Sequence, residues 1–342
     1  MQWLQKLFRK KTSDQGIVGI SFLPDGVSIA VSNYTENNSI KLIHCEFIET
    51  NKTSDYETIL KQWVITHELN HYACHLVLDI NDYQRVNIEA PSVPANEMAL
   101  ALRWKINELI DFPVDEAVID YYRVPVAFSE DETTLEVIVC STSIIKPLIE
   151  QCTQAGLQLK VIDIQETTLR NLTTLLPNHP LGVAVLYLQK SFGLILIQKQ
   201  GVIYMARKIA IGYEEIDLEN PFSIDILGGG MAHDSLILEN QSFLMDTLEK
   251  FRVHDNLVSE IQRSLDYVES HYNMGTISEL AIIPWADGTQ NLVDKLNNFY
   301  DMSAYLMDLS VTIDSDIALD YVTQSLCVPV IGATLRNSLA AA

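Results

Sequence analysis

From Ile17 the chain runs IVGISF, breaks at Pro24-Asp25-Gly26, resumes as VSIAVSNY, breaks again over the polar residues 36–39, and returns as IKLIHCEFIE. Short apolar runs rich in β-branched residues and bounded by turn formers predict three antiparallel strands in a meander. About half the chain later the pattern recurs: VAVLYL after Gly182, a break at Gln189 to Ser191, FGLILIQ, a Lys199-Gln200-Gly201 turn, and VIYMARKIA. A recurrence at that separation is what a duplicated domain leaves behind.

After the first meander, Ile59, Leu60, Trp63, Val64 and His67 make one stripe at helical spacing, which predicts a helix over roughly 55–71 and then a strand over 74–80. A block of different character follows, about 90–157: a helix over 94–110, strands over 117–124 and 135–141, and a helix over 143–155. This reads as a small α+β insertion in the first half. A strand over 157–164 and a helix over 165–176 close that half, and Pro177 to Pro180 is the hinge. The second half carries its own insertion, about 213–275, containing Gly228, Gly229 and Gly230 and a long helix over 255–272. A strand over 279–283, a helix over 289–298 and a last helix from about Val330 end the chain. The expected division is a basic segment 1–15, a first lobe 16–180 and a second lobe 181–342, with the last helix packing back on the first lobe.

Charge changes the picture at one end. The 342 residues include 45 acids and 23 bases, a net charge of −22 that argues against nucleic acid as a partner. Residues 1–11 run the other way, with Lys6, Arg9, Lys10 and Lys11 and no acid. Trp3, Leu4, Leu7 and Phe8 share one helical face there, which suits an anionic membrane surface; docking of a frayed end on the body is the other reading. The five cysteines are odd in number, scattered and flanked by apolar residues, as expected of reduced core thiols in the cytoplasm. No apolar run approaches the length of a membrane span, and the first residues lack a signal-peptide pattern.

The segments VGISFLPDGVSIAV, ALRWKINELIDFPVDEAVIDY, VIDIQETTLRNL, EIQRSLDYVESHY and VPVIGATLR, in that order and spacing, resemble type IV pilus assembly proteins of the PilM family over nearly the whole chain from Gly16. The resemblance implies an α/β, actin-like (ribonuclease H-like) fold of two duplicated lobes, with a small α+β subdomain inserted in the first. It also implies two binding properties: ATP between the lobes, and the cytoplasmic tail of a single-span, PilN-like inner-membrane protein in a groove beside the inserted subdomain.

The nucleotide loops of such a fold need Asp for magnesium and Gly so that backbone amides reach phosphate. Where the family pattern is G-I-D-x-G, this chain has Gly19, Ile20, Ser21, Phe22 and Leu23. Where a second D-x-G is required stand Tyr187, Leu188 and Gln189, and a glycine pair on the adenosine side is replaced by Pro284 and Trp285. Magnesium and phosphate positioning supply most of the catalysis in phosphoryl transfer, so a pseudo-ATPase without bound nucleotide is expected. A shifted register through Asp25 and Gly26 is the competing reading, against an ordinary hairpin turn. Gly228 to Gly230 lack the Lys-Ser/Thr of a P-loop and read as a loop.

His67-Glu68-Leu69-Asn70-His71 matches H-E-x-x-H, the zinc peptidase pattern in which two His one helical turn apart hold the metal and the Glu activates water. The duplicated fold already accounts for a helix there, and a core-edge histidine is the plainer reading of His67. No G-x-S-x-G elbow is present.

Recognition is what remains. The helix carrying Leu100, Leu102, Trp104, Ile106, Leu109, Ile110 and Phe112 holds more apolar residues than one buried face needs, which makes Trp104 and Phe112 candidate partner contacts beside Arg103 and Lys105. Filling the core of the insertion is their alternative role. Arg85 and Asn87, near the junction, are candidates to hydrogen-bond an extended peptide. The expectation is a non-catalytic scaffold at the inner membrane, with an ATP-dependent switch and a zinc enzyme as alternatives.

Overall fold

The computed structural model describes residues 16–35, 40–50, 52, 55–70, 72–125, 134–178, 180–216, 236–272, 274–300 and 302–336. Trp3, Leu4, Leu7, Phe8, Arg9, Lys10 and Lys11, His71, and Gly228 to Gly230 lie outside them. The chain divides into two units: Met1–Pro177 with Gly201–Ile203 and Leu309–Ala342, and Asn178–Gln200 with Tyr204–Asp308.

In the first unit, β1 (Gly16–Leu23), β2 (Gly26–Tyr34) and β3 (Ile40–Glu49) form the expected meander. Helix α1 (Tyr56–Thr66) leads to β4 (Ala73–Leu78), which pairs parallel with β1, and β8 (Gln158–Ile164) completes the order β3-β2-β1-β4-β8. The second unit repeats it. There β9 (Val183–Leu188), β10 (Gly193–Lys199), β11 (Val202–Ile209), β12 (Leu280–Ile282) and β13 (Ala304–Leu306) run in the order β11-β10-β9-β12-β13. The same strand order built twice is the duplicated, actin-like arrangement.

Both faces of the first sheet are covered, and the alternation along β1 decides how. Val18, Ile20 and Phe22 point toward α1, where Phe22 meets the Tyr56 ring at 5.5 Å. Gly19 and Ser21, opposite Ala30 and Ser28 on β2, with Ser32 opposite Ile17, make the other face small. The last long helix, α8 (Tyr321–Thr334), lies against it. A Cβ on Gly19 would overlap the Val330 carbonyl, so only glycine admits α8 at this depth. Ser28 Oγ donates to the Leu326 carbonyl at 2.7 Å, Ser32 and Thr334 share a hydrogen bond of 2.7 Å, and His75 Nδ1 lies 2.8 Å from the Ala333 carbonyl.

Between β4 and β8 the chain builds a second, three-stranded sheet from β5 (Tyr83–Glu89), β6 (Ala117–Val124) and β7 (Thr134–Ser141), in the order β5-β7-β6. Its apolar face (Ile88, Leu135, Val137, Val139, Ala117) packs on α2 (Met98–Ile106) through Leu102 and Ile106. The insertion thus begins at Tyr83, ahead of the expected position 90. Strand β5 escapes an apolar-pattern reading because its alternate residues Tyr83, Arg85 and Asn87 are polar and partnered. Helix α3 (Thr142–Gln154), expected within the insertion, packs instead on α1 and β8 of the main sheet.

In the second unit, α5 (Leu236–Tyr272) contributes Leu257, Val258, Ile261 and Val268 to a core shared with β9, β10, β12 and α6 (Thr289–Phe299). It links the third strand to the fourth, as α1 does in the first unit. The expected insertion over 213–275 therefore contains a core helix of the duplicated unit. A short helix α7 (Leu309–Thr312) precedes α8.

Where β4 passes into β5, Asp79 Oδ1 accepts the Asn81 N–H at 2.9 Å, while burial, reinforced by Asp79, raises the Asp82 carboxyl to about 6. Between the unfolded carboxyl range near pH 4 and pH 6, the unfolded chain releases this proton while the folded chain keeps it, so stability falls across that window and stays lower at pH 7. Asp82→Asn is expected to raise Tm at pH 7 by roughly 1–3 °C and to leave it unchanged near pH 4, in paired thermal melts.

Candidate functional site

Ser21, Leu23, Tyr187, Gln189, Pro284 and Trp285 lie in strands, turns and buried packing. Ser21 is buried, and its Oγ donates to the Val77 carbonyl at 3.0 Å. Leu23 ends β1 and pairs with Gly26, so Pro24 and Asp25 form a two-residue hairpin turn. In the second unit Tyr187 is buried within β9, and Gln189 uses its backbone N–H on Phe192 at 2.8 Å in the β9–β10 turn. Pro284 and Trp285 are buried, Trp285 stacks on Tyr213 with ring centroids 6.2 Å apart, and its N–H donates to Thr289 Oγ1 at 3.1 Å.

The H-E-x-x-H stretch is not helical in its described part. Helix α1 stops at Thr66, His67 is its C-cap, and Glu68 has φ of 56°, a left-handed conformation that no helix continues. The His67 ring stacks on Trp63 at 4.1 Å and its Nδ1 lies 2.9 Å from the Trp63 carbonyl. Among the described residues, no three His, Cys, Asp or Glu side chains gather as metal ligands do.

Arg85 and Asn87 do sit at the junction of the insertion with the main sheet, inside a polar cluster. Arg85 Nε donates to Glu136 Oε1 and its Nη1 to Glu166 Oε1, each at 2.9 Å. Tyr83 Oη donates to Glu166 Oε2 at 2.5 Å and Asn87 Nδ2 to Glu136 Oε2 at 3.2 Å. Burial works against the Arg85 charge, but Glu166 and Glu136 outweigh it and hold its pKa above the ordinary arginine value. Glu166 is fully buried on α4 (Gln165–Thr173), so the cluster ties β5 and β7 of the insertion to the first helix beyond β8. Trp104 and Phe112 lie across the three-stranded sheet from this cluster. Phe112 packs on the core with α2, and Trp104 is 78% exposed.

A groove opens between β6 of the insertion and β8 of the main sheet, with a volume of about 420 Å³. Both strands are sheet edges, since β6 pairs only with β7 and β8 only with β4. Residues 118–122, of both side-chain faces, line it, as the edge of a strand would and a face would not. The Tyr121 N–H is held by Asp120 Oδ1 at 2.8 Å, and the Ala117 carbonyl accepts from Arg103 at 2.9 Å. As an edge strand, β6 leaves the main-chain groups of alternate residues without a partner strand on the groove side. Val118, Ile138, Ile145 and Ile162 supply apolar walls.

Charge enters from the other side. Arg336 Nη1 pairs with Asp163 Oδ2 at 2.8 Å, and Asp163 Oδ1 accepts from Thr167 Oγ1. Arg170 donates to Asn171 Oδ1 at 3.0 Å and forms no ion pair among the described residues. Burial lowers its pKa below the ordinary arginine value and Arg336 adds to the shift, while Asp163 and Tyr122 oppose it. Of the sequence candidates, Arg85 and Asn87 fix the wall of this groove and Trp104 and Phe112 stand away from it. Sequence reasoning missed Arg170 and Arg336, although each is the only cation in its resemblance-bearing segment, VIDIQETTLRNL and VPVIGATLR.

No family model matches the chain, and no curated protein matches it in sequence. Solved structures do. A chain of a PilM–PilN type IV pilus biogenesis complex superposes with a TM-score of 0.66 at 14% identity, covering 94% of this chain and 99% of its own. A Bacteroides thetaiotaomicron protein of actin-like ATPase fold and unknown function gives a TM-score of 0.47 at 13% identity, covering 93% of this chain and 98% of its own. The cytoplasmic domain of EpsL, an inner-membrane component of the Vibrio cholerae type II secretion system, gives 0.45 at 9% identity, covering 94% and 95%. The first of these shares the fold described above.

Removing the Arg85 charge leaves two carboxylates facing each other in a mostly buried space. Arg85→Met is expected to destabilise the chain by about 3 kcal/mol or more in urea titrations, and Arg85→Lys by less.

Proposed function

We propose that this chain is a non-catalytic, actin-like scaffold of a type IV pilus assembly platform that docks the cytoplasmic N-terminal tail of a PilN-like, single-span inner-membrane protein. The observation carrying this reading is the groove between the open edges of β6 and β8, which lies beside the inserted subdomain, where the PilM resemblance puts such a tail. An extended segment laid there would satisfy main-chain groups of an unpaired strand while its side chains enter apolar walls, the usual economy of strand addition. The fold likeness to a chain of a PilM–PilN complex supports the same assignment.

Within that family the basic start WLQKLFRKK favours an MshI-like member serving an MSHA-type pilus. Residues 1–11 supply a second, weak contact to the anionic inner leaflet, so the protein works at the cytoplasmic face of the membrane. No helix among the described residues is long and apolar enough to cross a membrane. The side chains at Ser21, Leu23, Tyr187, Gln189, Pro284 and Trp285 favour a platform that holds its partner without nucleotide and without cofactor over an ATP-driven switch.

Isothermal titration with the tail peptide of the PilN-like protein from the same organism tests both parts. Binding is expected at micromolar affinity, weakened about tenfold or more by Val118→Arg and unaltered by magnesium ATP, with no phosphate release above background. Absence of binding, or binding indifferent to Val118→Arg, would overturn the docking site. Affinity that changes with magnesium ATP would establish the switch instead.

A further inference from the structure

The groove is asymmetric in charge in a way that bears on what it accepts. On the α4 side stand two guanidinium groups, Arg170 and Arg336, and one carboxylate, Asp163, which Arg336 already engages. Arg170 is mostly withdrawn from water, with Asp163 near it, and among the described residues its hydrogen bond goes to the neutral Asn171 amide. On the β6 side the nearest acid is Asp120, exposed at the rim and bonded to the Tyr121 N–H. A segment seated in the groove removes the remaining water from Arg170. A cation so enclosed is tolerated only if the occupant brings a counter-charge.

We propose that the groove selects an extended partner segment carrying an acidic side chain, bound by Arg170 with Arg336 beside it, while Asp120 repels the same acid from the opposite rim and so sets the direction in which the segment lies. This deepens the docking reading above and rests on it. The surroundings sharpen the requirement. The chain carries −22 overall, so an acidic segment gains nothing from the long-range field and is held only where the two arginines meet it. Apolar side chains at alternate positions of the segment reach Val118, Ile138 and Ile162, and the acid falls on the α4 side.

A peptide-display selection on the full chain tests this without knowledge of the natural partner. Randomised linear dodecapeptides are selected in parallel on the wild-type chain and on Arg170→Glu, Arg170→Gln and Val118→Arg, each first verified as folded by its thermal melt. The wild-type pool is expected to fix Asp or Glu at one position within an apolar alternation. A synthetic peptide from that pool should lose about 10- to 100-fold in affinity when its acid becomes the amide. The same peptide should weaken comparably on Arg170→Gln, and the Arg170→Glu pool should fix Lys or Arg at that position.

Peptides that compete for the groove, as judged by loss on Val118→Arg, yet show no acidic position and bind Arg170→Glu undiminished, would overturn the charge inference and leave docking intact. A pool indifferent to Val118→Arg would overturn docking itself. Displacement of the peptide by millimolar inorganic phosphate, with the amide peptide binding as well as the acid, would identify the arginines as a free-anion site and overturn the proposal.

Discussion

The hold of Arg85 on two separate carboxylates, Glu136 and Glu166, is the constraint on which the seating of the inserted sheet depends. The three-stranded sheet joins the body of the unit through only two chain crossings, one before β5 and one after β7. Its own core with α2 lies on the far face and does nothing to orient it. What fixes the angle between the two sheets is a polar contact: an arginine from β5, a carboxylate from β7 and a carboxylate from α4, with Tyr83 and Asn87 filling their remaining hydrogen-bonding capacity. Buried pairs of this kind add little net stability but are strongly directional, which suits a wall that must stay at a set distance from β8.

The two units show how a duplicated architecture diverges by packing. In the first, Ser21 is buried on β1 and its hydroxyl is satisfied by the backbone of the adjacent strand β4. In the second, Trp285 and Pro284 are buried, and the Thr289 hydroxyl accepts from the backbone N–H groups of Trp285 and Ala286 and donates to the Ala286 carbonyl at 2.7 Å. At both places buried polar atoms find backbone partners, so these loops are internally consistent parts of a core.

The fold was legible because its strands are apolar on both faces. VAVLYL and IVGISF are unmistakable runs, and their repetition revealed the duplication before any geometry was known. The candidate site was less so, for reasons that individual residues make plain. Strand β5 alternates Tyr, Arg and Asn with Gln, Val and Ile, and because one face carries partnered polar groups and the other only Val86 and Ile88 against the core, it leaves no clear binary pattern. The helix α1 stripe continues through His67, yet the backbone turns left-handed at Glu68, which periodicity does not register. Trp104 is read from its type and stands exposed on α2, whereas the groove is made by strand edges and by two arginines 166 residues apart in the sequence, which no local pattern brings together.

The seating of α8 on the first sheet has a consequence for how the molecule is made. The bond between Ser32 and Thr334 spans 302 positions, and that between Ser28 and Leu326 spans 298. A ribosome adding about 5–20 residues per second leaves the small-residue face of that sheet without its helix for roughly 15–60 s after the strands emerge. The second unit, whose core is drawn from a continuous stretch of chain, has no such wait. Synthesis of this protein therefore proceeds with that face of the first sheet uncovered until α8 has been made, and in that interval its small-residue surface stands open to the nascent chain's surroundings.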